Sequence, residues 1–313
     1  MEETINIGKT DLKVPPLGVG TWQWGDTSTW QYGQGYARSE VEEAYRVSRE
    51  AGLTFFDTAE IYGNGLSETI LGGMVRPERE RVTLATKFAP LPWRLSARAL
   101  PKALDASLKR LGLAQVDLYQ IHWPYSLLRI EALMDALAEQ VRAGKVRAVG
   151  VSNYRADEMR RAHAALAKHG IPLASNQIHY NLLHRSPERN GVLAACRELE
   201  VRLIAYSPIA KGALSGKYHD GAKVSGARRR TRWFTPAGLA ASRPLIDLLR
   251  KVGEAHGGKT PGQVALNWMV KQGALPIPGA KNAAQATSNA GAIGWDLSEE
   301  EFAQISLLRI EGA

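Results

Sequence analysis

Residues 53–62 read LTFFDTAEIY and residues 83–88 read TLATKF. Each is a short apolar run that stops at a side chain able to carry a proton or a charge: Asp57, with Tyr62 close behind, and then Lys87. The pattern recurs. VDLYQIH (116–122), VRAVGVSN (146–153), PLASNQI (172–178) and RLIAYS (202–207) are further runs of strand length, mostly apolar on both faces as a buried parallel sheet requires. PLGVG (16–20) precedes them and LPIPGA (275–280) follows, which makes eight.

Amphipathic patterns of helical period separate the runs. SEVEEAYRVSREAG (39–52) opens at Ser39 and stops at Gly52, and SARALPKALDASLKRLG (96–112) stops at Gly112. SPERNGVLAACRELE (186–200) places Pro187 in a first turn, and helices are also expected near 242–256 and 260–273. A terminal helix over 298–313 starts with Ser298 and Glu301 in capping-box spacing. INI and LKV around GKTD read as a small N-terminal hairpin. Residues 207–240 show no clear period and read as one extended loop, a length that in compact domains usually means function or mobility.

Eight strand–helix units predict an α/β protein, a single (β/α)8 TIM barrel over residues 1–313 with an N-terminal hairpin and extra C-terminal helices. A doubly wound open sheet is the alternative. It requires G-x-G-x-x-G between strand and helix, and after Gly18 and Gly20 the chain continues into Gln23 with no helix starting there.

The totals agree with one soluble barrel. Apolar residues make up 44% and charged residues 23% of 313. No apolar run approaches the ~18 residues of a membrane helix. The first residues, MEETINIGKTDLKV, lack the apolar core of a secretory signal. A single cysteine, Cys196, precludes an internal disulfide and agrees with a reducing, cytoplasmic setting. Much of the +9 net charge sits in ARRRTR (227–232), either a solvated loop or one facing a phosphorylated ligand. No basic helix interleaved with aromatics points to nucleic acid.

In a closed barrel all strand C-termini open on one face, where chemistry is assembled from distant loops. Asp57, Lys87 and His122 end consecutive strands and Tyr62 follows the first of them, so four proton-capable groups share one rim. A phenol with a reference pKa near ~10 is a weak acid at neutral pH, and an adjacent ammonium favours its ionisation. Asp57 would hold Lys87 charged, and His122 would donate to an oxygen gathering negative charge. The set suits protonation of an oxyanion. It contains no hydride source, so redox chemistry would need a cofactor, and no metal site is expected.

DTAEIYG (57–63), ATKF (85–88), LYQIHWP (118–124), GVSNY (150–154), ASNQIHYN (174–181) and AYSPIAKGALSGKY (205–218) resemble the aldo-keto reductase superfamily along nearly the whole chain. The resemblance is to the bacterial and plant branch that is also similar to potassium channel β subunits. It implies NADPH-dependent reduction of an aldehyde or ketone, with Tyr62 as general acid, Lys87 and Asp57 tuning it, and His122 polarising the carbonyl. It further implies that Ser152, Asn153 and Gln177 hold the nicotinamide carboxamide, Tyr206 stacks on the ring, and Ser207, Ile209, Lys211, Gly212 and Leu214 follow the pyrophosphate. Gly20, Thr21 and Trp22 would border the cofactor from the first strand end.

Gly279, Ala280 and Lys281 match the stretch at the adenosine 2′-phosphate, with Gln285 and Asn289 near the adenine. Ala280, Gln285 and Ser288 stand where many members have a hydroxyl residue, an arginine and a glutamate. NADP(H) is still expected, because Lys281 and the basic loop can supply positive charge, while use of NAD(H) as well is left open, because the missing arginine removes a bidentate phosphate partner. Trp22, Trp24, Trp93 and Trp123 are the expected substrate wall, with Trp30 as readily core as wall and Trp268 in the core. Two readings from other classes stand beside the reductase: a cofactor-binding, redox-sensing regulatory subunit with slow turnover, and a Schiff-base lyase with Lys87 as nucleophile.

Overall fold

A computed structural model describes residues 4–124 and 127–310. Strands β1 (Ile5–Asn6) and β2 (Lys13–Val14) form the antiparallel hairpin. Eight parallel strands follow: β3 (Val19–Gly20), β4 (Phe55–Asp57), β5 (Thr83–Phe88), β6 (Val116–Ile121), β7 (Val146–Ser152), β8 (Leu173–His179), β9 (Arg202–Tyr206) and β10 (Leu275–Pro276). Each pairs with its sequence neighbour. The ring closes where the Gly18 amide donates to Pro276 O (3.0 Å) and the Gly20 amide to Pro278 O (3.1 Å). The (β/α)8 TIM barrel is thus the observed fold.

Helices α1 (Arg38–Glu50), α2 (Leu66–Val75), α3 (Ala99–Leu111), α4 (Ile130–Arg142) and α5 (Ala156–Ala167) alternate with the strands. Then come α6 (Ser186–Arg189), α7 (Val192–Glu198), α8 (Pro236–Ala255), α9 (Pro261–Lys271), α10 (Ala283–Ala290) and α11 (Glu299–Leu307). Among the described residues no helix is long and apolar enough to cross a membrane.

The period of two in each strand divides the apolar residues between two layers. Outward-facing Phe56, Leu84, Tyr119 and Val149 pack in the large outer core that includes the helices. Inward-facing Phe55, Ala85, Leu118, Ala148 and Ile204 fill the barrel, and Ile7, Leu12 and Val14 of the hairpin plug its lower end. Truncating the fully buried Phe55 to alanine would cost about 3–5 kcal/mol, because its neighbours cannot collapse into the space.

Three expectations about elements need correction. Residues 186–200 are two helices rather than one, since Gly191 between α6 and α7 takes φ +82°, outside helical space. The segment 207–240 is not one extended loop. It holds 3-10 turns at Ala210–Ser215, Gly226–Arg230 and Arg232–Phe234, and α8 begins at Pro236, not near 242. The Gly238 amide donates to the Thr235 hydroxyl to cap that helix (3.1 Å), a Thr-Pro start that the apolar period alone does not reveal. The terminal helix ends at Leu307, with its Ser298–Glu301 capping box in place, and the expected residues 311–313 lie outside the described part.

Candidate active site

The strands carry a second inward layer above the apolar one. One step of two beyond Phe55, Ala85 and Leu118 stand Asp57, Lys87 and Gln120, all buried. Lys87 Nζ donates to Asp57 Oδ1 (2.5 Å) and to Thr58 O (2.8 Å), and lies 3.4 Å from the Tyr62 hydroxyl. Asp57 Oδ2 accepts from the side-chain amides of Gln177 (2.9 Å) and Gln120 (3.1 Å). An ammonium and two amide donors thus occupy both oxygens of the buried carboxylate, the compensation that a buried ion pair requires.

Tyr62 sits on the turn after β4, and that turn is clamped. Gly63 takes φ +56°, and a Cβ there would stand 2.4 Å from the Gly25 carbonyl oxygen. Only glycine lets the loop after β4 lie against the loop after β3 at this point. Trp22 from that neighbouring loop stacks near the Tyr62 ring, with centroids 6.2 Å apart. His122, on the far side, meets Tyr62 edge to face at 5.8 Å and is itself stacked on Trp123 at 4.0 Å. Its backbone amide donates to Phe88 O (2.8 Å), while its Nδ1 has no partner among the described residues.

Burial opposes charge on Lys87, but the Asp57 carboxylate and Tyr62 together hold its ammonium above the ordinary value. A lysine so held is not a nucleophilic amine, which counts against the lyase. Burial pushes the Tyr62 phenol above its ordinary value, Lys87 pulls it down, and Asp57 pushes it up. The expected lowering by Lys87 is therefore outweighed here, and Tyr62 carries its proton at neutral pH. Burial, aided by the Lys87 charge, drives His122 well below the usual histidine value, so its ring is neutral.

Asp57, Tyr62 and His122 line a cavity of about 480 Å³, with Lys87 fully buried behind Asp57 and Tyr62. Gly20, Thr21, Trp22, Ser152, Asn153, Gln177 and Tyr206 border it near the four proton-capable residues. Ser207, Ile209, Lys211, Gly212, Gly279, Gln285, Ser288 and Asn289 border it as well. Asn153 donates to His122 O (3.1 Å) and accepts from the Tyr206 hydroxyl (3.0 Å), which ties three strand ends together. Asn153 (φ +63°), Ser207 (φ +52°) and Lys211 (φ +56°) all adopt left-handed backbone on this wall. Such strain persists only where the surroundings over-determine it.

Other predicted positions fall elsewhere. Leu214 and Ala280 are buried behind the wall. Lys281 fronts a small adjoining hollow, its Nζ donating to Trp30 O (2.8 Å) with the Tyr36 ring 4.3 Å away. Burial, with the Arg228 charge beside it, lowers that ammonium to about 8. Trp24 is not substrate wall: it is fully buried, and its indole N–H donates to Ala280 O (2.8 Å). Trp93 is 72% exposed and away from the cavity. Trp30 does border the cavity, and Arg228 is the residue of the basic run that reaches it. Gln23, Ile61, Lys217 and Gln120 were not singled out from sequence, although Gln120 lies two residues before His122 on the same inward face.

The chain is similar to known proteins over nearly its whole length. The chain is 38% identical over 307 residues to "Pyridoxal reductase, chloroplastic" of Arabidopsis thaliana, covering 94% of this chain and 83% of that protein. Its fold matches a glycerol dehydrogenase from Gluconobacter oxydans with TM-score 0.85 at 26% identity, over 97% and 94% of the two chains. It also matches an aldo/keto reductase from Klebsiella pneumoniae in complex with NADP and acetate, with TM-score 0.76 at 29% identity, over 98% and 95%. The sequence model described as "Aldo/keto reductase family" matches residues 16–310, and the chain belongs to that family.

Proposed function

We propose that this protein reduces aldehydes or ketones to alcohols with NADPH, and that Tyr62 supplies the proton. The observation that carries the reading is the Tyr62 hydroxyl at the inner end of the cavity, 3.4 Å from a lysine ammonium that a buried carboxylate fixes in place. The wall that includes Gln177 and Asn289 would hold NADPH, which would supply the hydride that the residues themselves lack. Tyr62 gives its proton to the carbonyl oxygen as negative charge grows there. The Lys87 ammonium stabilises the phenolate that remains, and Asp57 keeps that ammonium charged. Neutral His122 donates a hydrogen bond to the same oxygen, its ring plane set by stacking on Trp123.

Ser152, Asn153 and Gln177 would hold the carboxamide, Tyr206 would back the nicotinamide ring, and the turn at Ser207–Gly212 would follow the pyrophosphate. Lys281 and Arg228 supply charge toward a 2′-phosphate. Gln285 supplies none: its Oε1 accepts from the Lys281 amide (3.0 Å). NADPH is therefore preferred over NADH by less than a bidentate arginine would give, and NADH remains usable.

Trp22, Trp30 and Trp123 make the substrate end apolar and aromatic, which suits a flat aromatic aldehyde. The name of the Arabidopsis relative makes pyridoxal the first such aldehyde to assay, beside 4-nitrobenzaldehyde and methylglyoxal. Fluorescence titration with NADPH and NADH, followed by aldehyde-dependent oxidation of each, tests the reading. Tight NADPH binding with turnover supports it. Absence of binding refutes it, and binding without turnover favours a regulatory subunit.

A further inference from the structure

Gln120 has no part in the chemistry above, yet it occupies the centre of the barrel just beneath it. It is fully buried on β6, paired in register with Lys87 on one side and Gly150 on the other. Its Nε2 donates to Asp57 Oδ2 (3.1 Å), and its Oε1 accepts from Gln177 Nε2 (3.4 Å). Gln177 in turn donates to the same Asp57 oxygen (2.9 Å). The barrel makes room for this side chain at Gly150, where a Cβ would stand 3.1 Å from Gln120 Cγ and 2.3 Å from Ser175 Oγ.

We infer that Gln120 is a positioning residue, which locks the carboxylate behind the proton donor and the amide that clamps the cofactor into one hydrogen-bonded triangle. The inference rests on the proposed roles of Asp57 and Gln177. Either member of the triangle alone has other rotamers. With Gln120 in place, Asp57 Oδ2 is satisfied from two sides and turns Oδ1 toward Lys87. Gln177 is held with its amide N–H groups directed at Asp57 and Gln120. Loss of Gln120 therefore disturbs the proton donor and the cofactor clamp together, although it touches neither substrate nor cofactor.

The test compares full-length wild type with Gln120→Leu, Gln120→Glu and Asp57→Asn, following NADPH affinity by fluorescence and the pH profile of kcat with 4-nitrobenzaldehyde. Gln120→Leu should lower kcat by about tenfold, the size expected for losing a hydrogen bond to a charged group, and weaken NADPH binding as well. A glutamic acid at this position replaces the amide donor only while protonated. Gln120→Glu should therefore approach wild-type turnover at acid pH and lose it as pH rises, placing its basic limb at lower pH than that of the wild type. A purely structural role would lower activity without changing the profile.

Gln120→Leu with kcat and affinity within about twofold of wild type would overturn the inference, and so would a Gln120→Glu profile parallel to wild type. If the leucine variant fails to fold, the glutamate profile decides. Asp57→Asn separates the two levels. Retained turnover there would refute the reading of Asp57 itself, whereas its loss beside an unaffected Gln120→Leu would refute only the role of Gln120.

Discussion

The strand ends and the loops above them place their side chains by different means. Asp57, Lys87, Gln120 and Gln177 come from four different strands and are all buried, and each is held by hydrogen bonds to another of the set. Trp22, Trp30 and Trp123 reach the same cavity from loops and are held mainly by ring contacts, 5.5 Å between Trp22 and Trp30 and 4.0 Å between Trp123 and His122. The strand layer has one geometry, fixed by barrel period and register. The loop layer has a surface. On the proposed reading the first tunes the proton donor and the second chooses the aldehyde.

The largest expected effect comes from the proposed proton donor, which stands on the clamped turn after β4 and is tuned by the strand layer beneath it. Tyr62→Phe should lower kcat by roughly 10²–10⁴ with NADPH affinity unchanged, the usual range for a positioned general acid. Asp57→Asn comes next. It removes the carboxylate that keeps the buried Lys87 charged, which should destabilise the fold by about 3–5 kcal/mol in chemical denaturation and also lower kcat. In the loop layer, Trp22→Ala or Trp123→Ala should act mainly through aromatic-aldehyde KM. A loss of kcat as large as that of Tyr62→Phe would erase the distinction between the layers. Trp93→Ala should change nothing measurable, since its side chain is exposed.

Acidity sharpens the same contrast. Tyr62 must carry its proton to act, and its value lies above the ordinary 10.0, so reduction should persist at neutral pH and fail only as pH rises through that raised value. His122 lies well below 6.5, so its ring gains charge only on the far acid side. The plateau is thus wide at both ends. Lys281, outside the strand layer, is charged below about 8, and the preference for NADPH over NADH should narrow as pH rises through that value.

This division also explains what the sequence makes legible. Asp57, Lys87 and His122 stand out because each is one ionisable residue ending an apolar run, and a closed barrel must bring such ends together. Gln120 is uncharged and sits inside a run, so it reads as an ordinary strand residue unless the period of two is counted back from His122. In loops no period exists. Trp22 and Trp24 are two residues apart, yet one faces the cavity and the other the core. Arg94 is drawn back onto Glu60 (2.5 Å), and its neighbour Trp93 is left facing solvent. The turns between 207 and 236 escaped notice because GARRR carries no apolar stripe, and 3-10 turns need none.

The central claim is that proton donation and cofactor binding are separable functions of one rim. The most direct test titrates wild type and Tyr62→Phe with NADPH by fluorescence and then assays both with pyridoxal and 4-nitrobenzaldehyde. Equal NADPH affinity for the two proteins, with turnover in the wild type alone, is the expected result. Comparable turnover by both would contradict it, because the proton would then come from another group.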